Sequence, residues 1–213
     1  MIDIIYSDES IVICVKPVGI DSEHEMPEEL QKLIHSQIFT VHRLDTAVGG
    51  IMIYAKNTLA AGKLSKQIQD GSFVKHYLAL TEGVPENNAV LEDLLFKDSR
   101  KNKSYVVNRM RKGVKAAKLE YSVKETNDNF ALLEIRLYTG RSHQIRVQLS
   151  SRGFPLVGDG KYGAKDSNCP IGLFSSKIEF THPVTAKQMA FSVEPCFEIA
   201  PWNKIKNTQN LSL

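Results

Sequence analysis

Cysteine is scarce in this chain, tryptophan occurs once, and no long apolar run interrupts it. The three cysteines, Cys14, Cys169 and Cys196, stand far apart with no CxxC spacing. They read as reduced thiols, so neither a disulfide framework nor a zinc site is expected. No stretch approaches the roughly 18 apolar residues of a membrane span. Met1-Ile2-Asp3 lacks the basic start of a signal peptide. A strong charge of one sign is missing as well: the net charge of +3 is too small to establish a nucleic-acid partner. There is no internal repeat, low-complexity tract or dividing linker, and no GxSxG elbow of the kind many hydrolases use. His42, His76, His143 and His182 show no metal-ligand spacing.

At 213 residues, 42% of them hydrophobic and 24% charged, the chain can bury a real core and has the make-up of a soluble cytosolic globule. One domain with embellishments is expected. Short strands dominate the pattern. Ile11 to Val15 is a continuous apolar run stopped by Lys16-Pro17-Val18-Gly19, and Ile51 to Ala55 is a second strand. Phe73 to Leu80 and Lys118 to Val123 alternate, and Phe130 to Leu137 adds a further strand. Phe174 to Phe180 and Gln188 to Val193 fit a hairpin whose turn contains Pro183. Helices are predicted at three places. One runs from Pro27 to His35, with Leu30, Leu33 and Ile34 on one face. Another runs from a cap at Asn57 or Thr58 to Gln69, with Ala60, Leu64 and Ile68 on one face and Gly71 just beyond. The last runs from a Ser142 cap to about Ser151, ended by Gly153. Strands and helices do not alternate as strand-helix units, so the fold class is α+β rather than doubly wound. The tail after Pro201 is expected to be partly mobile.

Two clusters carry chemistry. His42-Arg43-Leu44-Asp45, followed by Gly49-Gly50, sets a carboxylate beside cationic side chains in a turn that leads into the Ile51 strand. The second is Thr139-Gly140-Arg141-Ser142-His143-Gln144-Ile145-Arg146. On one account Asp45 is a turn residue bonded to its own backbone, Arg43 a surface arginine and His42 a structural histidine. On the other, Asp45 is an ionised catalytic carboxylate steered by a guanidinium, which Arg146 can supply in fork geometry. Ser142 and Arg146 share one face of the predicted helix while Arg141 sits at its mouth, so the two arginines do different jobs. A third cluster is electrostatic. Between 97 and 118, Lys97, Arg100, Lys101, Lys103, Arg109, Arg111, Lys112, Lys115 and Lys118 face the single acid Asp98. Phosphate backbones neutralise such density; a solvated hairpin kept soluble by lysines is the alternative.

Several motifs in order complete the pattern: Lys16-Pro17-Val18-Gly19, the Asp45 tetrapeptide with Gly50, Lys75-His76-Tyr77, Gly140 to Arg146, and Gly158-Asp159 before Tyr162-Gly163. Together they resemble the RluA-type family of pseudouridine synthases, RNA uridine isomerases. Phe174 to Pro183 looks like that family's closing hairpin, so the resemblance runs from about residue 10 to 195. It implies a single catalytic domain on a mixed, largely antiparallel sheet flanked by helices and loops, with no separate N-terminal RNA-binding domain. It makes Asp45 the catalytic aspartate, with Arg146 pairing to it and Tyr77 stacking on a flipped uridine. Arg43 would occupy the gap left by that uridine, and Ile145 would wall the pocket. Arg141 joins the substrate contacts, and Lys101, Lys103, Arg109 and Arg111 are the candidates for the RNA backbone. That basic stretch holds Tyr105 but no interleaved aromatics, so phosphate contacts are expected over base stacking.

Lys75, Tyr77 and Ala79 share one strand face, and the opposite face of His76, Leu78 and Leu80 is the more apolar, which leaves Tyr77 to line a cleft. His42, His143 and Gln144 are assigned to structure. In the implied reaction the base leaves C1′, turns and rejoins through C5, which needs no cofactor, metal or external energy. The expected protein is a monomeric cytoplasmic enzyme acting on ribosomal or transfer RNA without an obligate protein partner. One departure stands out: Gly49 occupies the position where many members carry serine. A non-catalytic RNA-folding module, and a hydrolase acting through Asp45 and His143, are the alternatives.

Overall fold

The computed structural model of the chain describes residues 2–206. These form an α+β fold of two compact units, one running to His76 and resuming over Phe174–Glu194, the other comprising Tyr77–Leu173 and the segment from Pro195.

In the first unit, β1 (Asp3–Ser7), β2 (Ile11–Lys16), β4 (Gly49–Ala55) and β10 (Leu173–Thr181) lie side by side in that order. The short β3 (Phe39–Thr40) pairs with β4, and β11 (Gln188–Ser192) pairs with β10. β2 runs antiparallel to β4, with Ile13 opposite Ile53, whereas β4 and β10 are parallel. Every residue of β4 is buried, which is why its sequence is an unbroken apolar run rather than an alternating one. Helix α2 (Thr58–Asp70) lays Ala60 and Leu64 on a core of Ile11, Ile13, Ile51, Ile53, Phe73, Ile178 and Phe180. Its ends are as expected: the Asn57 side chain accepts from Ala60 N, and Gly71 takes the left-handed conformation at the C-terminus.

Helix α1 spans Glu25–Ile34 and so begins two residues before the predicted Pro27. The cause is an acidic turn. The Asp21 carboxylate accepts from Glu23 N and His24 N, while Glu25 Oε2 accepts from Asp21 N, and the turn so formed lets Met26 N donate to Asp21 O upstream of the proline. The buried pair is Met26 and Leu30; Leu33, expected on the inner face, is 51% exposed.

In the second unit the order is β5 (Val74–Glu82, from Tyr77 onward), β9 (Phe130–Leu137), β8 (Val114–Thr126), β6 (Asn88–Asp98) and β7 (Lys103–Val107). β6 pairs antiparallel with both β8 and β7, and β8 pairs antiparallel with β9. Helix α3 (Gln144–Ser150) has six consecutive buried residues from Gln144 to Leu149. It packs Val147 against Leu95, Ala117 and Tyr162.

Ser142 does not cap α3. The N-cap is His143 in the left-handed region at φ 54, and no side chain caps the helix. Gln144 ties the entry down instead: its Oε1 accepts from Thr139 Oγ1 at 2.7 Å and Arg141 N at 3.0 Å, and its Nε2 donates to Lys118 O. The segment after Pro201 is also better held than expected as far as Lys206. Trp202 and Ile205 are buried, and Asn127 Nδ2 donates to the carbonyls of Lys204 and Ile205. The rest of the expected mobile tail, 207–213, lies outside the described residues.

Candidate active site

Asp45 sits on a turn of the first unit that is braced from three directions. Ser22 Oγ donates to Leu44 O at 2.8 Å and accepts from Leu44 N at 3.1 Å, and Tyr54 OH fixes Ser22 by donating to its carbonyl at 2.8 Å. Gly19 N donates to Thr46 O at 2.8 Å, and Val48 N closes the turn on Asp45 O at 2.9 Å. The third brace is Lys16. Only 1% exposed, its ammonium donates to Pro17 O, Ile20 O and Thr46 O at 2.8, 2.7 and 3.3 Å. Burial pushes this amine down to about 8, opposed by the negative charges of Asp21, Asp45 and Glu25. The Lys16-Pro17-Val18-Gly19 motif is therefore a clamp on the aspartate turn, a role that its position at a strand end did not reveal.

His42 anchors the upstream side. Its Nε2 accepts from Ile53 N at 3.2 Å, and Nδ1 is buried with no hydrogen-bond partner among the described residues. Burial, reinforced by the charge of Lys75, pushes its pKa down to about 3, so the ring is neutral. Downstream, Gly50 holds a φ of +123, and a Cβ there would stand 2.3 Å from Ser175 O. Gly49 is also enclosed: an added Cβ would meet Lys16 O and the Val18 side chain, both at 3.3 Å, so little room is left for a serine. Arg43 is exposed and lies 3.4 Å from Glu23.

The remaining site candidates belong to the second unit. Tyr77 is 5% exposed and lies on the buried face of β5 with Ala79, while Leu78 on the opposite face is only half-buried. Leu80 on that opposite face is wholly buried as well, so both faces of the strand carry core residues, and alternation alone does not say which positions a neighbouring layer covers. Ile145 is buried on α3. Arg146 follows it and grips Asp159 bidentately, Nε to Oδ2 at 2.7 Å and Nη2 to Oδ1 at 2.8 Å, both side chains almost wholly enclosed. The guanidinium lies 5.1 Å from the centroid of the Tyr162 ring. Tyr162 in turn accepts from Ser104 N at 2.8 Å and bonds His143 Nδ1 at 2.9 Å. Asp159 is thus a partner that sequence reading missed; its signal was the Gly-Asp pair of the fifth motif. Arg141 donates from Nε to Ala116 O at 2.8 Å.

The basic stretch forms the end of β6, all of β7 and the start of β8. Lys103 is committed locally, donating to Lys161 O and lying 5.0 Å from the Tyr162 ring. Lys118 pairs with Glu92 at 2.7 Å. Lys101, Arg109 and Arg111 are exposed, Arg111 stacked 5.0 Å from the Phe96 ring.

Comparison with known proteins agrees with this architecture. The model of the family described as RNA pseudouridylate synthase matches residues 10–151. Over 205 residues the chain is 32% identical to the dual-specificity RNA pseudouridine synthase RluA of Salmonella typhi, covering 91% of this chain and 93% of that protein. It is 31% identical to an uncharacterized RNA pseudouridine synthase of Mycoplasma pneumoniae, covering 91% of this chain and 66% of the relative. About two thirds of the length of several such curated relatives is spanned in this way. Among solved structures, human RNA pseudouridylate synthase domain containing 1 superposes with a TM-score of 0.81 over 92% of this chain and 84% of that one, at 21% identity. The chain belongs to the RNA pseudouridylate synthase family, with the RluA-type enzymes.

Proposed function

We propose that the protein isomerises specific uridines of structured RNA, ribosomal or transfer, to pseudouridine, and that Asp45 is the catalytic carboxylate. The braced turn is the observation that carries this reading. A carboxylate can act as nucleophile at the sugar or base, or as a base at C2′, only if it is held where the glycosidic bond will be. Lys16, Ser22 and Gly19 supply that constraint through the backbone on either side of Asp45.

Tyr77 supplies an aromatic face for the extruded uracil, Ile145 an apolar wall, and Arg43 the group that fills the vacated stack. Flipping a base costs a few kcal/mol, which stacking and pocket contacts offset. Arg146 is the site's catalytic cation, locked in one rotamer by Asp159. Arg141 is a substrate contact, and Lys101, Lys103, Arg109 and Arg111 draw in the phosphate backbone. The reaction is redox-neutral and needs no cofactor, and we propose that a cytoplasmic monomer performs it.

The test is tritium release from RNA labelled at uridine C5, taken from cells lacking this gene and separated into ribosomal and transfer pools. Release from either pool is expected and names the target class. Silence in both would leave an RNA-binding module as the better reading.

A further inference from the structure

The turn between β7 and β8 reads Asn108-Arg109-Met110-Arg111-Lys112-Gly113, and all six residues are exposed. Met110 is 62% exposed, the highest of the large apolar side chains among the described residues. The turn around it is braced. Val114 N donates to Arg111 O at 3.0 Å, and Gly113 takes a φ of +84 directly over Phe96, whose ring an added Cβ would touch at 3.6 Å. The Arg111 guanidinium lies 5.0 Å from the centroid of the same ring. Phe96 is itself fixed by pairing with Tyr105 on one side and Val114 on the other. A flexible, polarisable, unbranched side chain is thus held on a braced loop that crosses from β7 to β8, which flank β6 on either side, with an arginine on each side of it in sequence and Lys112 next.

Apolar exposure on such a loop is unfavourable for the free protein and gains nothing from phosphate contacts alone. It fits a nucleic-acid surface in which a stacked base step opens to receive an apolar side chain while flanking cations hold the phosphates. We propose that Met110 is a wedge that inserts into a stacked base step of the RNA substrate, with Arg109, Arg111 and Lys112 on the adjoining phosphates. This rests on the RNA-directed reading above and goes beyond it: the crossover loop senses stacked, structured RNA through an apolar group, as well as charge. The local positive charge selects a polyanion over a protein groove as the occupant.

The experiment compares wild type, Met110→Ala, Met110→Leu and Arg109→Ala for binding to a synthetic stem-loop RNA and to oligouridine of equal length, across a salt series. Met110→Ala should weaken stem-loop binding roughly tenfold, the apolar surface lost being worth about that factor. It should leave oligouridine binding and the salt slope unchanged, because no charge is removed. Met110→Leu should restore affinity. Arg109→Ala should reduce the slope by about 0.9 on the stem-loop and about 0.7 on oligouridine. In turnover, Met110→Ala should raise KM and spare kcat. Wild-type affinity for the stem-loop in Met110→Ala would overturn the wedge, as would equal weakening on both RNAs. If tritium release by the wild type persists in that case, only the wedge falls. If the wild type neither binds the stem-loop nor releases tritium, both readings fall.

Discussion

At Arg146, two charges are enclosed together. Arg146 and Asp159 are 5% and 1% exposed, and their bidentate bond satisfies groups that neither could leave unpaired. Arg146→Ala should therefore cost about 3–5 kcal/mol of stability in urea unfolding, because the Asp159 charge is stranded. Arg146→Lys should recover part of that, since it keeps the charge and loses the fork. Equal stability of Arg146→Ala and wild type would show that the pair carries no such weight. His42 makes a pH prediction. Unfolded, it binds a proton near its ordinary 6.5; folded, burial holds that off to about 3. Between those values the unfolded state carries the extra proton, so stability is full above the upper one and falls as pH drops toward the lower. The slope from this group is at most about 1.4 kcal/mol per pH unit. His42→Gln retains an acceptor for Ile53 N and should flatten that part of the acid limb; an unaltered limb would mean that His42 does not titrate there.

Elements were legible where their pattern is local. The bounds of β9, the Asn57 cap and the Gly71 end of α2 could all be read from short-range chemistry, and Asp45, Tyr77 and Arg146 were visible as residues set in ordered motifs. What could not be read was contact at long sequence separation. Nothing in Ile11-Val12-Ile13-Cys14-Val15-Lys16 says that the lysine turns back to hold Thr46 O, and nothing near α3 says that Gln144, not Ser142, secures its start. The burial of Tyr77 was not legible for the same reason, since the burial of a strand face depends on what packs above it. Parallel pairing of β4 with β10 is another such contact, and it yields a prediction. Gly50→Ala must shed a φ of +123 and a 2.3 Å clash with Ser175 O, so it should lose about 3 kcal/mol or more. Gly49→Ala, facing contacts of 3.3 Å at ordinary φ, should lose less. Similar losses at both would remove the close approach as the cause. The β6–β7 hairpin and the loop that crosses from β7 to β8 carry the electrostatic prediction. Neutralising Lys101, Lys103, Arg109 and Arg111 together should weaken RNA binding and reduce its salt slope by up to about 3.6, less where Lys103 is held by its local contacts. An unchanged slope would return the stretch to a solvated surface.

For the molecule as a whole, the functional reading stands on one carboxylate. The first unit spends its lysine clamp, its Ser22 bridge and its closely packed Gly50 on placing the turn that bears Asp45. The second unit, taken by itself, holds Tyr77 buried, Arg146 locked on Asp159 and an exposed cationic loop between β7 and β8. Such expenditure of local stability is understandable if Asp45 reacts and wasteful if it only caps a turn. Asp45→Asn keeps the shape and removes the charge. The decisive measurement is tritium release from C5-labelled RNA by wild type and Asp45→Asn side by side, with RNA binding measured on both. Release by the wild type alone, with binding retained in the variant, is the predicted result; equal release by the two proteins would contradict the assignment of Asp45.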